Sequence, residues 1–195
     1  GTLACTFKSF LDCKPHTYSG AEGAVGLLRW IEKAESTFAM SNCPVADRVK
    51  FASGTFEGAA LTWWNANVQT MGLEEANAMS WVDYKRLLME EYCPRGEIQK
   101  MESQLYNLKM VGSEIEEYTA RNHELVVLCP QMCNPPYKRI EMYIEGLVPQ
   151  IQGNVTSSNP TTIQQAIRLA TKLTHQAVAQ GALPPRGSTN KGADN

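Results

Sequence analysis

Apolar residues recur at helical spacing through most of the chain, and no stretch alternates convincingly as a strand would. Leu27, Trp30, Ala34 and Phe38 step by three and four, giving one buried face to a helix that runs to about Met40. Ser19-Gly20-Ala21-Glu22 before it has the form of a capping box. Cys43-Pro44 restarts the chain, with Pro suited to a first helical position, and a second helix turns Val45, Val49 and Ala52 inward before fading near Gly54. A third helix opens after Gly58. Leu61, Trp64, Val68 and Met71 share its face, which leaves Trp63 beside that face rather than on it. Residues 73–79 read as a turn, and Ser80-x-x-Asp83 caps a fourth helix striped by Trp81, Tyr84, Leu88 and Tyr92. Trp30, Leu61, Trp64 and Trp81 are the expected core of this first lobe, and Trp63 is the expected contact between lobes or subunits.

Residues 1–18 break the pattern. Pro15 and scattered apolar residues there predict an extended N-terminal arm lying over the core. Cys93-Pro94-Arg95-Gly96 is the strongest interruption in mid-chain, because Pro disfavours helix in the residue before it and Gly loosens the residues after it. The expected organisation is an arm (1–18), a first lobe (19–93), a hinge at 94–96 built on Pro94 and Gly96, a second lobe (97–178), and a tail or linker (179–195).

In the second lobe Ile98, Met101, Leu105 and Leu108 line one helix. Ser113-x-x-Glu116 caps another, with Ile115, Tyr118, Leu125 and Cys129 inward up to Pro130. Pro135-Pro136 starts a third with Ile140, Tyr143, Ile144 and Leu147, stopped by Gly146 and Pro149. After a short segment, Thr161-x-x-Gln164 caps a last helix through Ile163, Ile167, Ala170, Leu173 and Ala177. From Gly181 on, Gly, Pro, Ser, Asn and Lys dominate and predict disorder. The expected fold is all-α, two small lobes of four to five helices each, every lobe close to the lower size for a single core.

Composition narrows the function classes. At 43% hydrophobic and 19% charged residues the chain is of ordinary globular type. No apolar run approaches the roughly 20 residues of a membrane span. There is no basic-then-apolar leader, and the first residue is Gly rather than Met, as expected of an excised fragment with a tag remnant. Residues 1–93 carry eight Lys/Arg against eleven Asp/Glu, and residues 94–176 carry eight against eight. That balance disfavours nucleic-acid binding by this segment alone. The cysteines (Cys5, Cys13, Cys43, Cys93, Cys129 and Cys133) read as reduced, cytosolic thiols, several of them at apolar helical positions. Asn154-Val155-Thr156 reads as a chance sequon.

Catalytic signatures do not emerge. His16, His123 and His175 are the only imidazoles, each read as a surface residue, and no nucleophile elbow, phosphate loop or aspartic-protease motif occurs. Cys129 and Cys133, four apart across Pro130, lack the paired ligands of a zinc site. Glu114, Glu116 and Glu117 complement a helix N-terminus rather than forming an acid–base pair. No enzyme activity, metal or cofactor is expected.

One set of motifs, in order, carries a resemblance. It begins with Phe10-Leu11-Asp12-Cys13-Lys14-Pro15, Tyr18-Ser19-Gly20 and residues 22–33 (Glu-Gly-Ala-Val-Gly-Leu-Leu-Arg-Trp-Ile-Glu-Lys). Ala60-Leu61-Thr62-Trp63-Trp64-Asn65 and Met79-Ser80-Trp81 come next. The second lobe adds Tyr92-Cys93-Pro94-Arg95, Ile98-Gln99-Lys100-Met101-Glu102, Gly146-Leu147-Val148-Pro149 and Ile151-Gln152-Gly153-Asn154-Val155. Together they resemble the Gag capsid region of plant Gypsy-class (Metaviridae) LTR retrotransposons, itself similar to retroviral capsid and to the neuronal capsid-forming protein Arc.

The resemblance implies capsid N- and C-terminal domains that self-assemble into cytoplasmic virus-like particles around the element's RNA. Glu117-Tyr118-x-x-Arg121 resembles part of the retroviral major homology region, where acidic and basic residues knit the lobe together; Asn122 stands where an aromatic is expected. The zinc knuckle usual in such Gag proteins (Cys-x2-Cys-x4-His-x4-Cys) does not occur in this sequence, and the tail resembles the linker leading to it. The implied partner is therefore the chain itself, with RNA held indirectly through a nucleocapsid region and no membrane involved. The alternative is a domesticated Gag-derived module that holds host peptides or serves as an oligomeric adaptor.

Overall fold

The computed structural model describes residues 4–188. They form two compact units divided between Glu97 and Ile98. Both are helical, and among the described residues the only β-type pairing is one parallel bridge between Tyr18 and Phe56.

Unit 1 begins with α1 (Phe7–Asp12), where a wholly extended arm was expected. Thr6 explains the difference: its hydroxyl accepts from Ser9 N at 3.1 Å, and Ser9 Oγ accepts from Thr6 N at 2.9 Å. Six residues make no stable helix alone. This one is anchored by Phe10, fully buried between Phe38 (5.6 Å) and Phe51 (5.8 Å). The chain then turns through Lys14, whose φ is +56°, and runs on to Tyr18, whose N–H donates to Thr55 O and whose carbonyl accepts from Glu57 N at 2.9 Å. Residues 1–3 of the expected arm lie outside the described residues.

The long helix α2 (Gly23–Ser41) buries Leu27, Trp30, Ala34 and Phe38, the face its spacing predicts. Glu22 closes the turn ahead of it, accepting from Ser19 N and Ser19 Oγ, but Glu22 itself is the cap, so the helix starts three residues later than a box capped by Ser19 predicts. Val45 does not turn inward; it opens a 3-10 turn (Val45–Asp47) and is 68% exposed, while Val49 and Ala52 of α3 (Arg48–Ser53) are buried. Helix α4 (Gly58–Met71) is rotated from expectation. Ala60 and Trp64 face the core and Leu61 is 39% exposed, so Leu61 is not a core residue. The small Ala60 side chain is what permits this, because its N–H comes within 3.0 Å of Ser19 O on the extended segment.

The expected turn at 73–79 is helix α5 (Leu73–Ala78), and α6 (Trp81–Tyr92) follows its Ser80 cap as predicted, burying Trp81, Tyr84 and Leu88. Helix α7 (Arg95–Tyr106) begins one residue after Pro94. Gly96 is therefore helical, and α7 starts within the expected hinge at 94–96.

Unit 2 continues with α8 (Ile115–Leu128), a 3-10 turn (Pro130–Cys133), α9 (Tyr137–Glu145), α10 (Pro149–Ser157) and α11 (Ile163–Ala179). Ser113 does not cap α8; Glu114 precedes the helix, and the buried Ser113 hydroxyl makes no hydrogen bond. Pro149 opens α10 at its first position rather than merely stopping α9. The last cap sits one residue beyond expectation, with Thr162 Oγ1 accepting from Gln165 N at 3.1 Å.

The expected disordered tail is ordered over its described part. Leu183 is buried and its N–H bonds to Ala177 O, while Arg186 pairs with Glu117 and lies 4.0 Å from Glu116. One large apolar side chain in an otherwise polar run suffices, since the helix end already holds the backbone around it. Leu183→Ala is expected to cost about 2 kcal/mol and expose residues 181–188 to protease, measured by urea denaturation and limited proteolysis. Residues 189–195 of that expected tail are outside the described residues.

Candidate assembly site

The aromatic core of unit 1 grows from Phe56 at the start of the Phe-Glu-Gly-Ala-Ala-Leu-Thr-Trp-Trp stretch. Phe56 stacks on Trp30 at 5.0 Å, Trp30 donates its indole N–H to Thr55 Oγ1 at 2.9 Å, and Thr55 passes the bond on to Ala52 O at 2.7 Å. Trp64 meets Tyr84 edge-on at 4.9 Å, and Tyr84 shares a 2.7 Å hydrogen bond with Ser53. The Trp30 indole and the Tyr84 hydroxyl, both buried, thus each have a partner. Burial pushes the Tyr84 hydroxyl well above its ordinary pKa, so it stays protonated and structural.

Trp63 lies half-buried beside this core. Its ring meets Tyr92 at 5.8 Å and Trp64 at 6.1 Å, and the side chain is partly exposed. Tyr92 in turn packs edge-on against Tyr18 at 5.2 Å and over Gly20, where φ is +92° and an added Cβ would come within 2.9 Å of the ring. The Tyr18-Ser19-Gly20 and Trp63-Trp64 motifs are therefore two sides of one aromatic seam. Other apolar side chains of unit 1 stand out in solvent, among them Met40, Leu73 and Val82.

Trp81 is buried, and its indole N–H donates to Glu35 Oε1 at 2.9 Å, an atom that also accepts from Lys85 Nζ at 2.7 Å. Partial burial alone would raise the Glu35 pKa, but these two donors outweigh it and hold the group below its ordinary value of about 4.5. The folded protein then binds fewer protons at Glu35 than the unfolded one. The stabilisation is present above about pH 4.5 and is lost as pH falls through the folded pKa. Glu35→Gln is expected to flatten part of the acid limb in a plot of urea midpoint against pH, modestly, because the pair is nearly half exposed.

In unit 2, Tyr118 of the major-homology-like stretch reaches the core, while Glu117 and Arg121 point to separate partners. Glu117 pairs with Arg186, and Arg121 with Glu124 (3.2 Å) and Gln104. Tyr118 Oη donates to Tyr143 O at 2.7 Å, at the end of α9. The other last carbonyls of α9 are also met: Ile144 O and Glu145 O by Gln152 Nε2, Glu145 O by Lys109 Nζ, and Gly146 O by Met110 N. Gly146-Leu147-Val148-Pro149 and Ile151-Gln152 are thereby explained as a helix junction, with Gln152 on α10 reaching back to the end of α9. Apolar spacing alone gives these motifs no role; a Gln three residues after a helix-opening Pro was the available signal. Asn122, in place of an aromatic, is buried with its Oδ1 unbonded.

The potential reactive groups are dispersed. His16 lines an open pocket with Pro15, Thr17, Glu22, Val25 and Trp30, His175 lies 3.2 Å from Glu116, and His123 lies 2.9 Å from Arg139. Burial raises the Cys43 thiol to about 12 and Cys93 to about 11, leaving both protonated at neutral pH and poor nucleophiles. Among the described residues no three His, Cys, Asp or Glu gather as metal ligands, and no helix is long and apolar enough to cross a membrane.

Residues 11–93 match the family model described as the retrotransposon-derived protein PEG10, N-terminal capsid-like domain. That span runs from the last turn of α1 to the residue that caps α6, almost the whole of unit 1 and its aromatic seam. Unit 1 is thus similar to a retrotransposon-derived, capsid-like domain. No curated protein and no solved structure matches the chain.

Proposed function

We propose that this chain is the capsid part of a retrotransposon Gag protein and that its copies self-associate into virus-like particles enclosing the element's RNA. The observation that carries the reading is the match of residues 11–93 to a capsid-like domain, which covers most of one compact helical unit. The order of motifs through residue 155 extends it to unit 2 and supports a Gypsy-class, plant element acting in the cytoplasm. The dispersal of imidazoles and the protonated thiols favour a structural over a catalytic role. RNA contact would fall to a nucleocapsid region, since the unit charges are near balance.

Shells need several weak contacts per subunit. Trp63 is our candidate for one of them in unit 1, being only half-buried at the edge of the aromatic seam. Light scattering over a concentration series is expected to give a mass rising well above the 21.6 kDa monomer. Trp63→Ala should reduce that rise while lowering the urea midpoint much less than Trp30→Ala does. A strict monomer at high concentration and high salt would overturn the proposal. The second reading, a Gag-derived binding module, draws on the open pocket beside Pro15, His16 and Trp30. It predicts a monomer that captures peptides through unit 1.

A further inference from the structure

Unit 2 holds an open pocket of about 530 Å3 at the start of α11. Ile163 and Ile167 supply its apolar wall, and three cationic or basic groups arrive from three helices: His123 of α8, Arg139 of α9 and Arg168 of α11. Small-molecule sites have this size and this mixture of apolar wall and convergent polar groups.

The charge around the pocket is unbalanced. Among the described residues neither Arg139 nor Arg168 has a carboxylate within ion-pair distance. Residues 146–188 contain no Asp or Glu, so α10 and α11 offer no counter-charge. The carboxylates of α8 are turned elsewhere, Glu116 to His175, Glu117 to Arg186 and Glu124 to Arg121. Arg139 Nη2 makes a 2.9 Å hydrogen bond to His123 Nδ1, and its Nε is buried without any hydrogen bond. Since a guanidinium can only donate, Nδ1 must be the accepting nitrogen and the ring is neutral, with its proton on Nε2. Arg168 Nε reaches Gln164 O at a marginal 3.5 Å, which leaves its two NH2 groups unengaged. The first turn of the 17-residue α11 adds the positive end of its dipole through Ile163 and Gln164.

We propose that this pocket binds a small phosphate-class oxyanion, a terminal phosphate or diphosphate group, with Arg139 and Arg168 as its charged donors and the Nε2–H of His123 as a third. The planar fork of Arg suits two oxygens of one phosphoryl group. A long polyanion is not the fit, because residues 94–176 as a whole carry as many acidic as basic side chains. Binding also moves a proton. Without ligand, burial first and Arg139 second hold the His123 pKa below its ordinary value. A bound oxyanion reverses the sign of the local field and favours the imidazolium, so a proton is taken up on binding. The charged group acting on the imidazole is Arg139 from α9, and Arg168 from α11 lines the same pocket; on α8 itself, neighbouring Glu124 is engaged by Arg121.

The test is a titration of the full chain with inorganic pyrophosphate, followed by calorimetry and by the NMR resonances of the His123 ring and the Ile163 and Gln164 amides, against sodium chloride at equal ionic strength. Saturable shifts at these three residues are expected with pyrophosphate only. Arg168→Gln, an exposed change that should leave the circular dichroism and melting curve intact, is expected to weaken binding about tenfold or more. Sulfate, which does not titrate in this range, should bind more tightly at about pH 5.5 than at about pH 7.5, and His123→Gln should abolish that dependence. Shifts that chloride reproduces, or a folded Arg168→Gln protein that binds as the parent does, would overturn the site. A sulfate affinity independent of pH would overturn the role of His123. A short RNA bearing a 5′-phosphate should compete with pyrophosphate where its unphosphorylated twin does not; equal competition would overturn the assignment to a terminal phosphate.

Discussion

Trp30→Ala is expected to remove about 4 kcal/mol of stability from unit 1, enough to unfold much of it at room temperature. The ring is buried against Phe56, Tyr18 and Trp81, and deleting it opens a cavity that those rigid neighbours cannot close. Its N–H also anchors Thr55, whose backbone oxygen receives Tyr18 N in the bridge that fixes the extended segment. Trp30→Phe keeps most of the ring contact and loses the hydrogen bond, so about 1–2 kcal/mol is expected instead. Urea denaturation followed by tryptophan fluorescence and far-ultraviolet dichroism distinguishes the two. An alanine variant as stable as the parent would mean that the seam is not the core of this unit.

Gly146→Ala is expected to cost about 3 kcal/mol or more in unit 2, through space rather than backbone conformation. Its φ is −82°, which any residue adopts. A Cβ there, however, would collide with Tyr118 Oη and stand 2.7 Å from the Leu108 carbonyl oxygen. Tyr118→Phe alone leaves the buried Tyr143 carbonyl without this donor, at about 1–2 kcal/mol. In the double variant the worst clash, with the hydroxyl, is gone, although the ring carbon Cζ and the Leu108 carbonyl oxygen still stand 2.7 Å away, so the two losses should sum to somewhat less than their separate values. Simple additivity would show that Gly146 and Tyr118 do not share the contact.

Much of this was legible in the chain. Helical spacing located the buried faces of α2, α6 and α8, since large aromatic and aliphatic side chains at three- and four-residue steps have one way to leave water. Expectation failed where small residues or hydrogen bonds decided the register. Ala60 faces the core in place of Leu61 because only a short side chain lets α4 approach Ser19. The N-terminal arm is partly helical because Thr6 and Ser9 cap each other, a local signal masked by nearby Pro15. Thr162 caps α11 in place of Thr161 through the same indifference of sequence pattern to a one-residue shift. Among the site residues, the burial of Tyr118 and Trp64 followed from periodicity. The pairing of Glu117 with Arg186 did not, as it joins residues far apart in a stretch that looked unable to order itself.

Negative-stain electron microscopy of the concentrated full chain tests the central proposal most directly. A capsid protein is expected to give closed shells or regularly curved assemblies, fewer of them with Trp63→Ala. A field of dispersed monomers with both units folded, at every concentration and salt condition tried, would contradict the assignment of this chain to capsid assembly.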